Sequence, residues 1–155
     1  MFLPPKGKIE LVLDKSSYKP GEEIKGILKL YLENPVKARA LRVAFYGVKE
    51  EYYVKDNFMS TSRYPEKRKR KMKVAEAIVF LDGEKEYTSN DYPFVIKIPP
   101  EAATHLAELV SVSLGPLSFQ YLKGGGSLRF FLDASLDIPL TFDLNTKKEI
   151  KIEPA

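Results

Sequence analysis

The sequence lacks cysteine and tryptophan entirely, and it contains a single histidine, His105, among 155 residues. Without cysteine, the chain has no disulfide framework, zinc knuckle, iron–sulfur site or thiol nucleophile. One histidine cannot build a histidine-rich metal site. A chain of this length buries enough surface to fold without disulfides or a structural metal. We therefore predict a single folded domain over residues 1–155 that uses no cofactor and no metal.

Membrane and export signals are also missing from the sequence. No apolar run approaches the roughly 18 residues that a transmembrane helix requires. The first six residues, MFLPPK, have neither the charged region nor the apolar region of a secretory signal peptide. These absences predict a cytoplasmic protein without a transmembrane segment.

Positive charge is concentrated in one short segment, KRKRKMK at residues 67–73. Removing its six charges from the net charge of +4 leaves −2 for the rest of the chain. Any electrostatic attraction to a partner must therefore come from this segment. The candidate anion-binding residues are Lys67, Arg68, Lys69, Arg70, Lys71 and Lys73.

Alternation of apolar and polar residues is the dominant pattern, and turn residues such as Pro20-Gly21 and Asn34-Pro35 interrupt it. Many short alternating segments predict an all-β fold, a two-sheet antiparallel sandwich in which each sheet covers the apolar face of the other. The alternation predicts a core that contains Leu11, Leu28, Leu30, Val43, Phe45, Phe94, Ile96, Phe130 and Leu132.

Two segments depart from the alternation. Residues 101–110 have apolar side chains at helical spacing, which predicts one short helix. Residues 56–73 are polar and predict a long basic loop. Such a loop either is solvated and mobile, protecting a strand edge from aggregation, or binds the phosphates of nucleic acid or an acidic membrane surface weakly and without specificity.

Several apolar residues fall on the outward side of the predicted strands, and these are the candidate protein contacts: Val12, Ile27, Tyr31, Tyr46 and Phe131. Five such residues are more than the scattered exposed apolar side chains of an ordinary protein surface. Two structures could bury these apolar residues, and the sequence does not decide between them. One is the predicted helix at residues 101–110, and the other is a protein partner or a second copy in a homo-oligomer.

Catalytic residues do not occur in any recognisable arrangement. The segment Gly124-Gly-Gly-Ser127 is not followed by lysine, so it predicts a hairpin connection rather than a phosphate-binding loop. No nucleophile elbow is present, and His105 is interpreted as structural. Asp133 and Asp137 share one strand face but lie about 13 Å apart, too far for a coupled pair. We therefore predict that the protein is not an enzyme.

The order of motifs over residues 8–153 resembles the N-terminal domain of the arrestin family. The motifs are Tyr18-Lys-Pro-Gly-Glu22, Ile24-Lys-Gly26, the strand that ends in Phe45-Tyr-Gly47, and Tyr92-Pro-Phe94. The resemblance implies an immunoglobulin-like sandwich and a non-enzymatic adaptor or scaffold that binds other proteins. Arrestins carry two such sandwiches and this chain has length for one, so their interdomain switch and their receptor-binding residues do not transfer. Anion binding through residues 67–73 is the alternative function.

Overall fold

The computed structural model describes residues 6–55, 66–122 and 124–154. It contains twelve strands and one helix within those ranges. In chain order these are β1 Gly7–Leu13, β2 Ser17–Tyr18, β3 Glu23–Leu32, β4 Val36–Ala38, β5 Ala40–Lys55, β6 Glu66–Asp82, β7 Lys85–Tyr87, β8 Asn90–Lys97, α1 Ala102–Leu106, β9 Leu109–Leu114, β10 Leu117–Leu122, β11 Gly126–Asp137 and β12 Leu144–Ile152.

Two main sheets form the sandwich. The smaller has the strand order β1-β3-β8, and the larger has the order β2-β12-β11-β5-β6. All their pairings are antiparallel except the short parallel contact of β2 with β12. Two further ladders, β4 with β7 and β9 with β10, lie outside these sheets. The structure confirms the predicted all-β, two-sheet antiparallel sandwich with one short helix.

The core lies between the two sheets and contains all nine residues that alternation predicted, each at most 7% exposed. At its centre the rings of Phe45 and Phe130 stack with centroids 5.7 Å apart and planes 14° apart. Phe45 lies on β5 and Phe130 on the neighbouring β11, close to each other in the antiparallel register. Burial of these large apolar side chains supplies most of the stabilisation of such a domain.

The turn between β2 and β3 explains its Pro-Gly motif. Gly21 has φ of +85°, a conformation that side-chain-bearing residues rarely adopt. The Glu22 amide donates to the Lys19 carbonyl at 3.1 Å and closes the turn. The predicted reversal at Pro20-Gly21 is therefore present, and it delivers the chain to β3 beside β1.

The helix prediction is wrong in extent. Helix α1 covers only Ala102–Leu106, and Val110 lies in β9. Residues 109–122 alternate with period two on both sides of Gly115-Pro116, and this pattern favours a hairpin over a longer helix. Gly115 has φ of +60°, as the first central residue of such a turn requires.

The loop prediction for residues 56–73 is wrong for its described part. Residues 66–73 belong to β6, which pairs with β5 from Lys55 opposite Glu66 onward. Residues 56–65 lie outside the described residues. A β-bulge at Ala75, with φ of +54°, separates the basic part of β6 from its core-forming part.

Candidate functional site

The basic residues of β6 face carboxylates on β5. Lys69 Nζ lies 2.6 Å and Lys71 Nζ lies 3.7 Å from the same oxygen, Glu50 Oε1. The guanidinium of Arg70 donates to Glu51 Oε2 at 2.8 Å. This cross-strand pairing is the physical reason why a run of cations forms a strand here. We call residues Arg68, Lys69, Arg70, Lys71 and Lys73 the basic strand; the side chain of Lys67, also predicted to bind anions, lies outside the described part of the chain.

Two lysines of the basic strand share one carboxylate. Glu50 contacts both Lys69 and Lys71, and Glu51 contacts both Arg70 and Lys49. The hydrogen bond from Lys69 lowers the pKa of Glu50, and the one from Arg70 lowers the pKa of Glu51, so both remain ionised. Lys69, Lys71 and Lys73 lie on one face of β6, and Arg70 lies on the other. Because Lys69 and Lys71 share the one carboxylate of Glu50, a positive surplus remains on the lysine face.

The predicted contact residues occupy three separate places. Val12 and Ile27 are directly opposite each other on the outer face of the smaller sheet, 41% and 39% exposed. Pro93 of β8 lies opposite Ile27, and Val95, 48% exposed, is next on the same face. We call Val12, Ile27, Pro93 and Val95 the sheet-face patch. Val12 and Ile27 are therefore exposed as predicted.

Tyr31 is on the same face but lies apart from the patch. It follows Ile27 by four residues, which places it about 13 Å along β3. It is 40% exposed, and the Lys8 ammonium lies 5.1 Å from its ring centroid. A row of charges, Glu10, Lys29 and Asp91, lies between Tyr31 and the patch.

Tyr46 and Phe131 are not exposed, which corrects the prediction for these two. They lie opposite each other on the outer face of the larger sheet but are only 5% and 9% exposed. Lys73 Nζ lies 4.5 Å from the Tyr46 ring centroid, and Lys147 Nζ lies 4.1 Å from that of Phe131. Neither the helix nor a partner is needed, because long lysine side chains cover the two rings.

The β9–β10 hairpin is an exposed apolar surface that the sequence interpretation missed. Its cross-strand pairs Leu114–Leu117, Val112–Phe119 and Val110–Tyr121 put six apolar side chains on one face. The opposite face carries three serines and Gln120, with Leu109 and Leu122 at the root. The strict alternation on both sides of Gly115-Pro116 was the available signal.

A metal-binding cluster is not found among the described residues. No group of three or more acidic or histidine side chains gathers there as a metal site. His105 Nδ1 is buried and lies 4.0 Å from Oε1 of Glu108, which follows the five-residue helix. Over the same ranges, the helix is too short to cross a membrane.

Comparisons with known proteins agree with this architecture. Residues 8–154 match the family model described as arrestin (or S-antigen), N-terminal domain. Spo0M, a sporulation control protein from Bacillus subtilis, superimposes with a TM-score of 0.61 at 15% identity. That alignment covers 99% of this chain and 51% of Spo0M, so the chain spans about half of that protein.

A second solved structure, a cohesin module of a Clostridium perfringens family 33 glycoside hydrolase, gives a TM-score of 0.34 at 12% identity over 98% of this chain and 100% of the module. Among curated protein sequences, no match is found. The family match covers nearly the whole chain and confirms the resemblance that the motif order indicated. The chain therefore belongs to the arrestin N-terminal domain family.

Proposed function

We propose that this protein is a non-enzymatic, cytoplasmic adaptor or scaffold module of one sandwich, and that it binds a protein partner through the sheet-face patch. Membership of the arrestin N-terminal domain family supports an adaptor-type fold. The observation that carries the proposal is the exposure of Val12, Ile27 and Val95 close together on the outer face of the smaller sheet.

The surroundings of the patch have the composition of a protein interface. The apolar residues Val12, Ile27 and Pro93 form one row across the three strands, and Glu10, Lys29 and Asp91 form the next row. An apolar centre beside a charged rim is the usual arrangement of a transient protein contact. The apolar row provides affinity and the charged row selects the partner.

The test is direct binding to proteins captured from native lysate, each then purified and measured alone. The variants Ile27→Glu and Val95→Glu should weaken binding about tenfold or more, because a charge replaces an apolar centre. The matched control is Phe142→Glu, which changes a side chain 83% exposed elsewhere. If the partner binds the wild type and all three variants with the same affinity, the sheet-face patch is not its binding site.

Anion binding by the basic strand is a second candidate, because Lys69 and Lys71 share the single carboxylate of Glu50. We propose weak, nonspecific binding at about 10⁻⁴–10⁻⁶ M that falls steeply with salt. Duplex DNA and single-stranded RNA should bind the wild type better than a variant with residues 68–71 changed to serine. Tight, sequence-selective binding that this variant loses would replace the adaptor proposal with nucleic-acid recognition.

A further inference from the structure

The β9–β10 hairpin carries an apolar face without any charge. Residues 109–122 contain no lysine, arginine, aspartate or glutamate. Exposure is greatest near the tip, at 64% for Leu114, 58% for Leu117 and 51% for Phe119, and falls to 38% for Val110 and 39% for Tyr121 at the root. Contiguous apolar surfaces of this kind are rare on a protein that is surrounded only by water.

The side of the hairpin that packs on the rest of the protein is not its apolar face. Leu109 and Gln120, which share the polar face, line a cleft of about 420 Å³ together with Phe130 and Ile150 of the larger sheet. The root of this face, where Leu122 is buried, is therefore turned to the protein body, whereas its three serines are exposed. The apolar face, with Phe119 and the two tip leucines, is on the other side of the ladder from this packed root.

The root of the hairpin lies beside the basic strand. A Cβ on Gly126 would be 3.4 Å from Leu122 Cδ1, so the end of β10 touches the start of β11. Gly126 is opposite Glu51, and Glu51 is opposite Arg70. Two strand spacings, about 10 Å, therefore separate the hairpin root from the basic strand.

The positive charge beside the hairpin distinguishes between two candidate partners of its apolar face, a second copy of the chain and a lipid surface. Two copies stacked through their hairpins would bring two positively charged strands to one interface, where like charges repel. An anionic lipid surface instead attracts the basic strand and accepts the apolar face. We propose that the hairpin is a membrane-docking element whose apolar face lies in the interfacial layer of an anionic bilayer, with the basic strand at the headgroups.

The chemistry of the hairpin fits shallow insertion. Leu114 and Leu117 at the tip are purely aliphatic, whereas Tyr121 at the root combines an apolar ring with a hydroxyl suited to the water–lipid boundary. The outer edges of a two-stranded ladder leave backbone groups that need water. The hairpin therefore enters roughly 5–10 Å, the depth of interfacial elements, and does not cross the bilayer.

The absence of tryptophan makes the insertion directly measurable. The substitution Phe119→Trp places the only tryptophan of the chain on the apolar face, and Phe142→Trp places it on an exposed site elsewhere. Vesicles of phosphatidylcholine and phosphatidylserine at about three to one should shift the tryptophan emission of the Phe119→Trp variant to the blue and leave that of the control unchanged. Pure phosphatidylcholine vesicles should give a much weaker shift.

Co-sedimentation with the same vesicles separates the two contributions. The double variant L114S/L117S should bind about tenfold or more weakly at any salt, because it removes apolar contact with lipid. The variant K69S/K71S should bind more weakly at low salt and lose most of the salt dependence. K37S/K85S, on the β4–β7 ladder, is the matched control and should bind like the wild type.

Three results would overturn the proposal. The first is the absence of any emission shift with anionic vesicles. The second is vesicle binding that L114S/L117S leaves intact, which would make the attraction purely electrostatic. The third is a blue shift that depends on protein concentration without vesicles, together with a dimer in light scattering that L114S/L117S dissociates. That result would assign the apolar face to a second copy.

Discussion

Truncating the stacked pair at the centre of the core gives the sharpest test of the register. Phe45 is 0% exposed and Phe130 is 4% exposed. At about 25 cal/mol per Å², burial of the roughly 150–200 Å² of one ring is worth ~4–5 kcal/mol. Alanine retains part of this and a cavity adds to the loss, so each truncation should lower the free energy of unfolding by about 3–5 kcal/mol.

Urea denaturation of Phe45→Ala, Phe130→Ala and the double variant measures these losses. The double variant should lose about 0.5–1.5 kcal/mol less than the sum, because the rings stack at 5.7 Å. The control Phe142→Ala, 83% exposed in the wild type, should stay within about 0.5 kcal/mol. Losses under about 1 kcal/mol at both core positions would show that the pairing of β5 with β11 is wrong.

Three further results are expected. Gly26→Ala should lower the free energy of unfolding by about 1–3 kcal/mol in chemical denaturation, because the new Cβ would lie 2.7 Å from the Val12 carbonyl oxygen; an unchanged midpoint would contradict the close β1–β3 contact. Burial raises the pKa of Tyr18 from 10.0 to about 12, so the unfolded chain releases this proton first and the free energy of unfolding should fall from pH 10 to 12. Urea titrations of Tyr18→Phe should show a smaller fall over this range, and a fall equal to that of the wild type would refute the assignment. Glu50→Gln removes the carboxylate that two lysines share and should raise the salt needed to elute the protein from heparin, whereas Glu10→Gln on the other sheet should not; equal elution would mean that the basic strand does not bind anions.

Alternation predicted the sandwich and its core because burial on one face of a strand is a local property. The residues of β11, for instance, alternate around Phe130 and Leu132, and both are buried. The Pro20-Gly21 turn could also be predicted from the sequence. The turn requires a positive φ at its third residue, and glycine is the residue that adopts it most readily. Such features depend on side chains close together in sequence.

The errors have a different physical origin. The strand conformation of residues 66–73 depends on Glu50 and Glu51, which lie well before them in the chain and become neighbours only when β5 pairs with β6. The burial of Tyr46 depends on Lys73, which becomes its neighbour only when β5 pairs with β6. The burial of Phe131 likewise depends on Lys147 of β12. The hairpin does follow a local pattern, but two patterns overlap at Val110: a helical spacing ends there and the alternation of the hairpin begins there.

Strand directions bring the three exposed surfaces to one end of the sandwich. The chain leaving β1 enters β2, which pairs with the last residues of β12, so both main sheets share this end. The sheet-face patch lies at the end of β1, and α1 leads from β8 into the hairpin at the same end. The basic strand pairs there with the last residues of β5, which pair on their other side with the start of β11. The β4–β7 ladder, with its buried Tyr87, follows the opposite ends of β3 and β6. A protein held on the sheet-face patch would therefore lie next to the bilayer on which the hairpin docks. Each contact then raises the effective concentration for the other, which lets one small sandwich combine two weak contacts into a stable one.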